Sequence, residues 1–180
     1  MRKERGFTLI ELMFALAVAA ILVSVAVPAV QMFALNSKQT GAINDFVSSL
    51  HLARNTAITT NARVTICASS NAASCEAVSW DSGWILFRDA NSNQTVDGTE
   101  VIISSVSQDN GLDIQSSQYG QFIMYRPSGR AMNANTATNT GEFTVCDPRG
   151  ADYGKVVIVD LSGRPKLSNL TIGGSAPTCG

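Results

Sequence analysis

Among the 180 residues, few side chains carry chemistry that stands out. Cys67, Cys75, Cys146 and Cys179 form an even set, which in an exported domain reads as disulfides, with three connectivities open. Cys67 ends a β-like run and Cys75 follows a Ser/Asn/Ala stretch, so a local bridge between them is natural. A bond from Cys146 to Cys179 would tie down a segment that would otherwise fray. Spacing therefore favours 67–75 with 146–179. No C-x-x-C pair occurs and His51 is the sole histidine, so no metal centre is expected. His51 lies between Leu50 and Leu52 on a helical pattern and reads as a partly buried packing residue. A single histidine gives no persuasive nucleophile–base–acid set, and no phosphate loop or dinucleotide fingerprint occurs. The expectation is a protein that is not an enzyme and holds no cofactor.

Two further stretches invite a functional reading. Asp89, Asn91, Asn93, Thr95, Asp97 and Glu100 fall at positions 1, 3, 5, 7, 9 and 12 of a calcium-loop pattern. Position 6 is Gln94 where that loop uses glycine, and strands rather than helices flank it. A polar hairpin with Asn-rich turns is the favoured reading. Gly163-Arg164-Pro165-Lys166 places two cations about a proline that stiffens the backbone. Such a pair can straddle adjacent phosphates, or the stretch is a simple turn whose freedom Gly163 supplies.

The remaining carboxylate of interest is Glu11, at the start of an apolar segment. From Leu12 to Ser37 no residue is charged. About 20 apolar residues suffice to cross a bilayer as a helix. Arg2, Lys3 and Arg5 precede the span and hold that end in the cytoplasm. An acid inside such a segment is costly, so it is paired, functional, or placed at the headgroup level where it reaches water.

The stretch Gly6-Phe7-Thr8-Leu9-Ile10-Glu11-Leu12, with its basic leader and hydrophobic helix, resembles the N-terminus of type IV prepilins. The resemblance implies cleavage after Gly6 by a prepilin peptidase and methylation of the new amine on Phe7. It also implies that Glu11 pairs with the amine of a neighbouring subunit, since two buried opposite charges become tolerable when they meet. An ordinary secretory signal with a site near Val23-Ser24-Val25-Ala26 is the competing reading; that cut would discard the most specific motif. Trp80-Asp81-Ser82-Gly83-Trp84, Phe87-Arg88-Asp89-Ala90-Asn91, Phe143-Thr144-Val145-Cys146-Asp147-Pro148-Arg149-Gly150 and Ser162-Gly163-Arg164 are similar to segments of FimT/GspH-type minor pilins and pseudopilins. In FimT-type pilins a G-R-x-R motif near this point is implicated in DNA binding. The resemblance thus implies a DNA site at Gly163, Arg164 and Lys166. Lys166 departs from the motif, keeping the charge but losing the guanidinium fork.

The elements that must position these residues follow from pattern. Ile43, Phe46, Val47, Leu50, Ala53, Ala57 and Ile58 recur at helical spacing, an apolar stripe that must cover something. Pro28 lies inside the pattern, where it should kink the helix. One helix from Phe7 to about Thr60 would be about 80 Å long. Short β runs follow: Arg63–Cys67, Gly83–Arg88, Glu100–Val106, Leu112–Gln115, Gln121–Tyr125, Gly141–Cys146, Lys155–Asp160 and Pro165–Leu170. Their short connections favour antiparallel pairing, and residues 133–140 read as an exposed loop. The expected class is α+β and type IV pilin-like: a long N-terminal helix, half transmembrane and half amphipathic, packed on antiparallel β-sheets. The expected division is a leader at 1–6, a transmembrane and assembly helix at 7–30, and a globular domain at 31–180 outside the cytoplasm.

Net charge is −1; the leader carries +2, so the chain without it carries −3. From Val64 to Gly120 seven acids accompany one cation, Arg88; after Gly120 six cations accompany four acids. An acidic middle thus precedes a mildly basic end. The implied partners are other pilin subunits, the prepilin peptidase, the inner membrane and double-stranded DNA. The implied course runs from a single-pass inner-membrane precursor to a cell-surface pilus. The alternative is a minor pseudopilin of a type II secretion system.

Overall fold

The computed structural model describes residues 6–98, 100–107, 111–133 and 140–179. One helix, α1 (Leu9–Thr60), continues through Pro28 over 52 residues. Thr8 begins it: its hydroxyl accepts a bond from the Glu11 amide (3.3 Å), satisfying one of the donors a helix start leaves open. The chain then divides into two compact units, one ending at Lys38 and the other starting at Gln39. In the first unit every described residue of α1 is exposed except the half-buried Leu35, and by length and composition α1 can cross a membrane.

The second unit is built on the amphipathic half of α1. Ala42, Ile43, Phe46, Leu50, Ala53 and Ala57 are buried at successive helical turns. Val47 packs at the edge of the core and Ile58 is exposed. Among the described residues nine strands follow: β1 (Val64–Ala68), β2 (Gly83–Arg88), β3 (Ile102–Ser107), β4 (Asp113–Gln115), β5 (Phe122–Tyr125), β6 (Ala131–Met132), β7 (Gly141–Cys146), β8 (Lys155–Val159) and β9 (Pro165–Ser168). They form a five-stranded sheet, β3-β2-β1-β5-β6, and a four-stranded sheet, β4-β7-β8-β9, with antiparallel neighbours throughout. The eight expected strands are present within two residues at each end. The ninth, β6, has two residues, too short for alternation to reveal. Residues 134–139 of the expected exposed loop lie outside the described residues.

The main core joins the helix stripe to both sheets. It includes Val64, Ile66, Trp84, Leu86, Ile123 and Tyr125 from the first, and Phe143, Val145, Val157 and Val159 from the second. Phe46 is its hub, edge-on to Trp80, Trp84 and Phe143 at centroid distances of 5.5, 5.0 and 4.7 Å. The Trp84 indole N–H donates to the Ser49 hydroxyl (2.8 Å), so a polar helix residue can lie inside. Gln39, also buried, donates from its amide to the carbonyl of Tyr153 (2.9 Å) and more loosely to that of Val145 (3.4 Å). The outer face of the five-stranded sheet is covered too. There Cys67, Ile85 and Phe87 pack with Cys75, Val96, Ile102 and Phe122.

His51 is a correction: it is exposed, not partly buried. The stripe runs through Leu50 and Ala53, and one residue further on turns the side chain about 100° away from it.

Candidate functional site

The cysteines close as Cys67–Cys75 and Cys146–Cys179, with Cα separations of 5.5 and 5.8 Å. The first fastens the end of β1 to the 70–76 loop. Within that loop Glu76 accepts from the Ser70 hydroxyl and amide (2.6 and 2.7 Å), and these bonds hold its carboxyl below the usual range. The second fastens the end of β7 to the irregular 176–179 segment. Beside it Asp147 accepts from the Arg149 guanidinium and amide. The side-chain bond, the amide and the charge of Arg149 together outweigh burial and hold Asp147 below its ordinary value of 3.8. Arg149 also lies over the Tyr153 ring, 4.1 Å from its centroid.

The Asp89–Glu100 segment folds on itself. Asp89 is buried, and its carboxylate accepts from the Thr65 hydroxyl (2.7 Å) and the amides of Asn93 and Gln94 (3.1 Å each). Asn91 and Asn93 donate to Asp97, and Glu100 accepts from the amides of Ala90 (2.8 Å) and Asp97 (3.3 Å). The carboxylates of Asp89 and Glu100 thus cap backbone amides and that of Asp97 holds two Asn side chains, and among the described residues no group of three or more His, Cys, Asp or Glu side chains is placed to hold a metal.

Gly163, Arg164 and Lys166 sit at the β8–β9 hairpin. Asp160 organises the turn: its carboxylate accepts from the Ser162 amide (2.8 Å) and hydroxyl (2.6 Å) and from the Arg164 amide (3.0 Å). Desolvation pushes that carboxyl up, yet these bonds and the Arg164 charge prevail and hold it below its ordinary value. Gly163 has φ +74, and a β-carbon there would lie 2.0 Å from the carbonyl oxygen of Gly129. The hairpin is therefore pressed against the 126–130 turn between β5 and β6. Arg54 of α1 fixes it from a third side, donating from Nε to the Ser162 carbonyl (3.1 Å). Arg164 and Lys166 are exposed on this braced turn.

Of the other cations that could extend the pair, the fold brings up only some. Arg126 and Arg130 belong to the turn beneath Gly163. Lys155 begins β8 at its far end, where it donates to Asn169 (2.8 Å), and Arg149 is committed to Asp147 and Tyr153. Arg54 was missed as a supporting residue because nothing in a helix sequence says which distant carbonyl an arginine will meet. Thr8 was missed as the helix start as well, although Thr-x-x-Glu before an apolar run is a signal that marks one.

A long N-terminal helix whose second half packs on two antiparallel sheets, behind an exposed apolar first half, defines the class of pilins and pseudopilins. Residues 42–163 match the family described as type II transport protein GspH, and the chain belongs to that family. Residues 1–27 match the prokaryotic N-terminal methylation motif. No curated protein matches by sequence. Among solved structures, the type IV minor pilin FimU of Pseudomonas aeruginosa has a TM-score of 0.58 at 16% identity, covering 82% of this chain and 95% of that one. The minor pseudopilin EpsH of the Vibrio cholerae type 2 secretion system has a TM-score of 0.50 at 10% identity, covering 73% and 96%. At such identities the likeness is one of fold. Pilins and pseudopilins are structural subunits, and the chain is one of them rather than an enzyme.

Proposed function

We propose that this chain is a minor pilin of the FimT/GspH type, made as an inner-membrane precursor and built into a type IV pilus. On this reading residues 7–30 span the membrane and residues 31–180 lie outside the cytoplasm. The peptidase cuts after Gly6, Phe7 is methylated, and Glu11 pairs with the amine of the next subunit. The observation that carries the assembly role is the apolar first half of α1, exposed along its length with one carboxylate in its first turn. Mass spectrometry of the membrane-extracted protein tests processing: a methylated Phe7 terminus is expected, and a terminus near Ala26 would sink the reading. Glu11→Ala should be cleaved normally yet fail to enter filaments; normal incorporation would remove the pairing.

The second part of the proposal is weak, non-specific binding of double-stranded DNA at Gly163, Arg164 and Lys166, serving uptake. Its support is a turn braced from three sides that leaves both cations in solvent. With a net charge near −3 the attraction is local and salt-sensitive, with affinity on the order of micromolar or weaker. Few phosphate contacts give little sequence preference. A mobility-shift assay on the full chain in a non-ionic detergent tests it. Arg164→Gln with Lys166→Gln should abolish the shift, and Lys166→Arg should preserve or strengthen it. An unchanged shift in the double variant would reduce the motif to a turn.

The pseudopilin reading is favoured by the family's description, which names type II transport. A gene deletion separates the two. Loss of pili and DNA uptake fits the pilin; exported proteins trapped in the periplasm fit the pseudopilin.

A further inference from the structure

Three arginines distant in sequence meet at one end of the five-stranded sheet. Val64 of β1 stands opposite Arg88 of β2 and Tyr125 of β5, so the start of β1 and the ends of its two neighbours coincide. Arg63, Arg88 and Arg126 therefore line one concavity of about 710 Å³. Arg63 and Arg88 are exposed and Arg126 is half-buried. The Arg63 guanidinium donates to the Ser92 hydroxyl, and Arg126 Nε to the sulfur of Met132 (2.8 Å). Both partners are neutral, so they hold the side chains without cancelling their charge.

The acids nearby are already committed. Among the described residues Glu100 is the one acid lining the concavity, and it caps the amides of Ala90 and Asp97. Asp89 is spent on Thr65, Asn93 and Gln94. None of the three arginines is in an ion pair with a described carboxylate. Among the described residues, three cations face an open space lined by Glu100 and adjoined by Asp89, a surplus of one formal positive charge.

We propose that Arg63, Arg88 and Arg126 form a phosphate-binding pocket. Guanidinium forks match the oxygens of a phosphate bidentately, and three of them around one open space supply more donors than a single carboxylate can accept. Free inorganic phosphate and the phosphodiester of a nucleic-acid strand both present unesterified anionic oxygens that a guanidinium can grip. The pocket shares no residue with the Arg164–Lys166 hairpin, so it stands or falls separately from the DNA reading of that turn.

Titration calorimetry on the full chain in a non-ionic detergent at low salt, with inorganic phosphate and with a short single-stranded oligonucleotide, tests the proposal. The parent should bind phosphate. Arg63→Gln, Arg88→Gln and Arg126→Gln together should weaken it by about tenfold or more, while Arg88→Lys, which keeps the charge and loses the fork, should weaken it less than Arg88→Gln. Arg88→Gln alone guards against misfolding, because this exposed side chain holds no described group in place; several-fold weaker binding is expected with an unchanged near-ultraviolet spectrum. Loss of both ligands in the triple variant identifies a strand as a source of the phosphate; loss of phosphate alone identifies the free anion. Arg164→Gln with Lys166→Gln should leave phosphate binding intact. Absence of phosphate binding by the parent, or a triple variant that binds phosphate as the parent does, overturns the pocket.

Discussion

The two halves of α1 share a backbone and differ in what their side chains meet. Between Leu9 and Lys38 no residue is buried; Phe14 and Phe33 are 72% and 73% exposed. Between Gln39 and Thr60 eight residues are buried, and Phe46 is wholly enclosed. Composition alone would rank the first half as the better core. It is not one, because an apolar helix with no polar face has no direction in which to prefer a sheet. The second half is less hydrophobic and better patterned, and the pattern is what lets β-strands close over one side of it. A surface as apolar as the first half is at equilibrium only in lipid or against other apolar helices.

Phe46→Ala against Phe14→Ala is the sharpest way to break this contrast. Phe46→Ala removes the ring at the meeting point of three others and should destabilise the globular unit by about 3–5 kcal/mol. Phe14→Ala should change it by less than about 0.5 kcal/mol. Denaturant unfolding of the full chain in detergent, followed by near-ultraviolet circular dichroism, reads both. Equal effects would mean that the exposed half also supports the core.

Next in size come the disulfides, which act only on the second region. Replacing Cys146 and Cys179 by serine opens a loop spanning 33 residues and should cost about 3–4 kcal/mol on the chain-entropy model. Opening the 8-residue loop at Cys67 and Cys75 should cost less, about 2–3 kcal/mol. The same denaturation curves apply, and a reversed order would show that loop length is not what matters. Gly163→Ala follows. The positive φ and the carbonyl of Gly129 make a β-carbon intolerable without movement, so a loss of about 1–3 kcal/mol is expected. If thermal melts of this variant overlay the parent, the hairpin is not braced as described.

The smallest effect is electrostatic. Asp147 has its folded value depressed below 3.8, chiefly by the bond from Arg149. Its contribution is therefore present where the carboxylate is ionised, above about pH 4, and is lost as pH falls through the folded value. Asp147→Asn should flatten this acid limb of the stability profile, and Asp113→Asn should act oppositely. Burial first, then the nearby Asp81, raises the Asp113 carboxyl, so its charge opposes folding at neutral pH. Acid titrations of the two variants that overlay each other would remove both assignments.

Much of this was local enough to be read from the chain. The apolar run, the helical stripe from Ile43 to Ala57 and the short strands each follow from spacing within one element. The cysteine spacing favoured the bridges now seen, because one pair is close in sequence and the other holds a tail. What tertiary structure alone decided is which distant residues become neighbours. Nothing local in the sequence ranks Arg126, Arg130, Arg149 and Lys155 as neighbours of Arg164. Strand order and the close approach of Gly163 to Gly129 put the first two beneath the hairpin and left the others elsewhere. The same strand order gathered Arg63, Arg88 and Arg126, which no local pattern connects. It also turned the calcium-like spacing into a self-capped loop, because Thr65 on β1 reaches Asp89. Periodicity fixes the face a side chain takes within its own element, and only sheet order and register fix what that face meets.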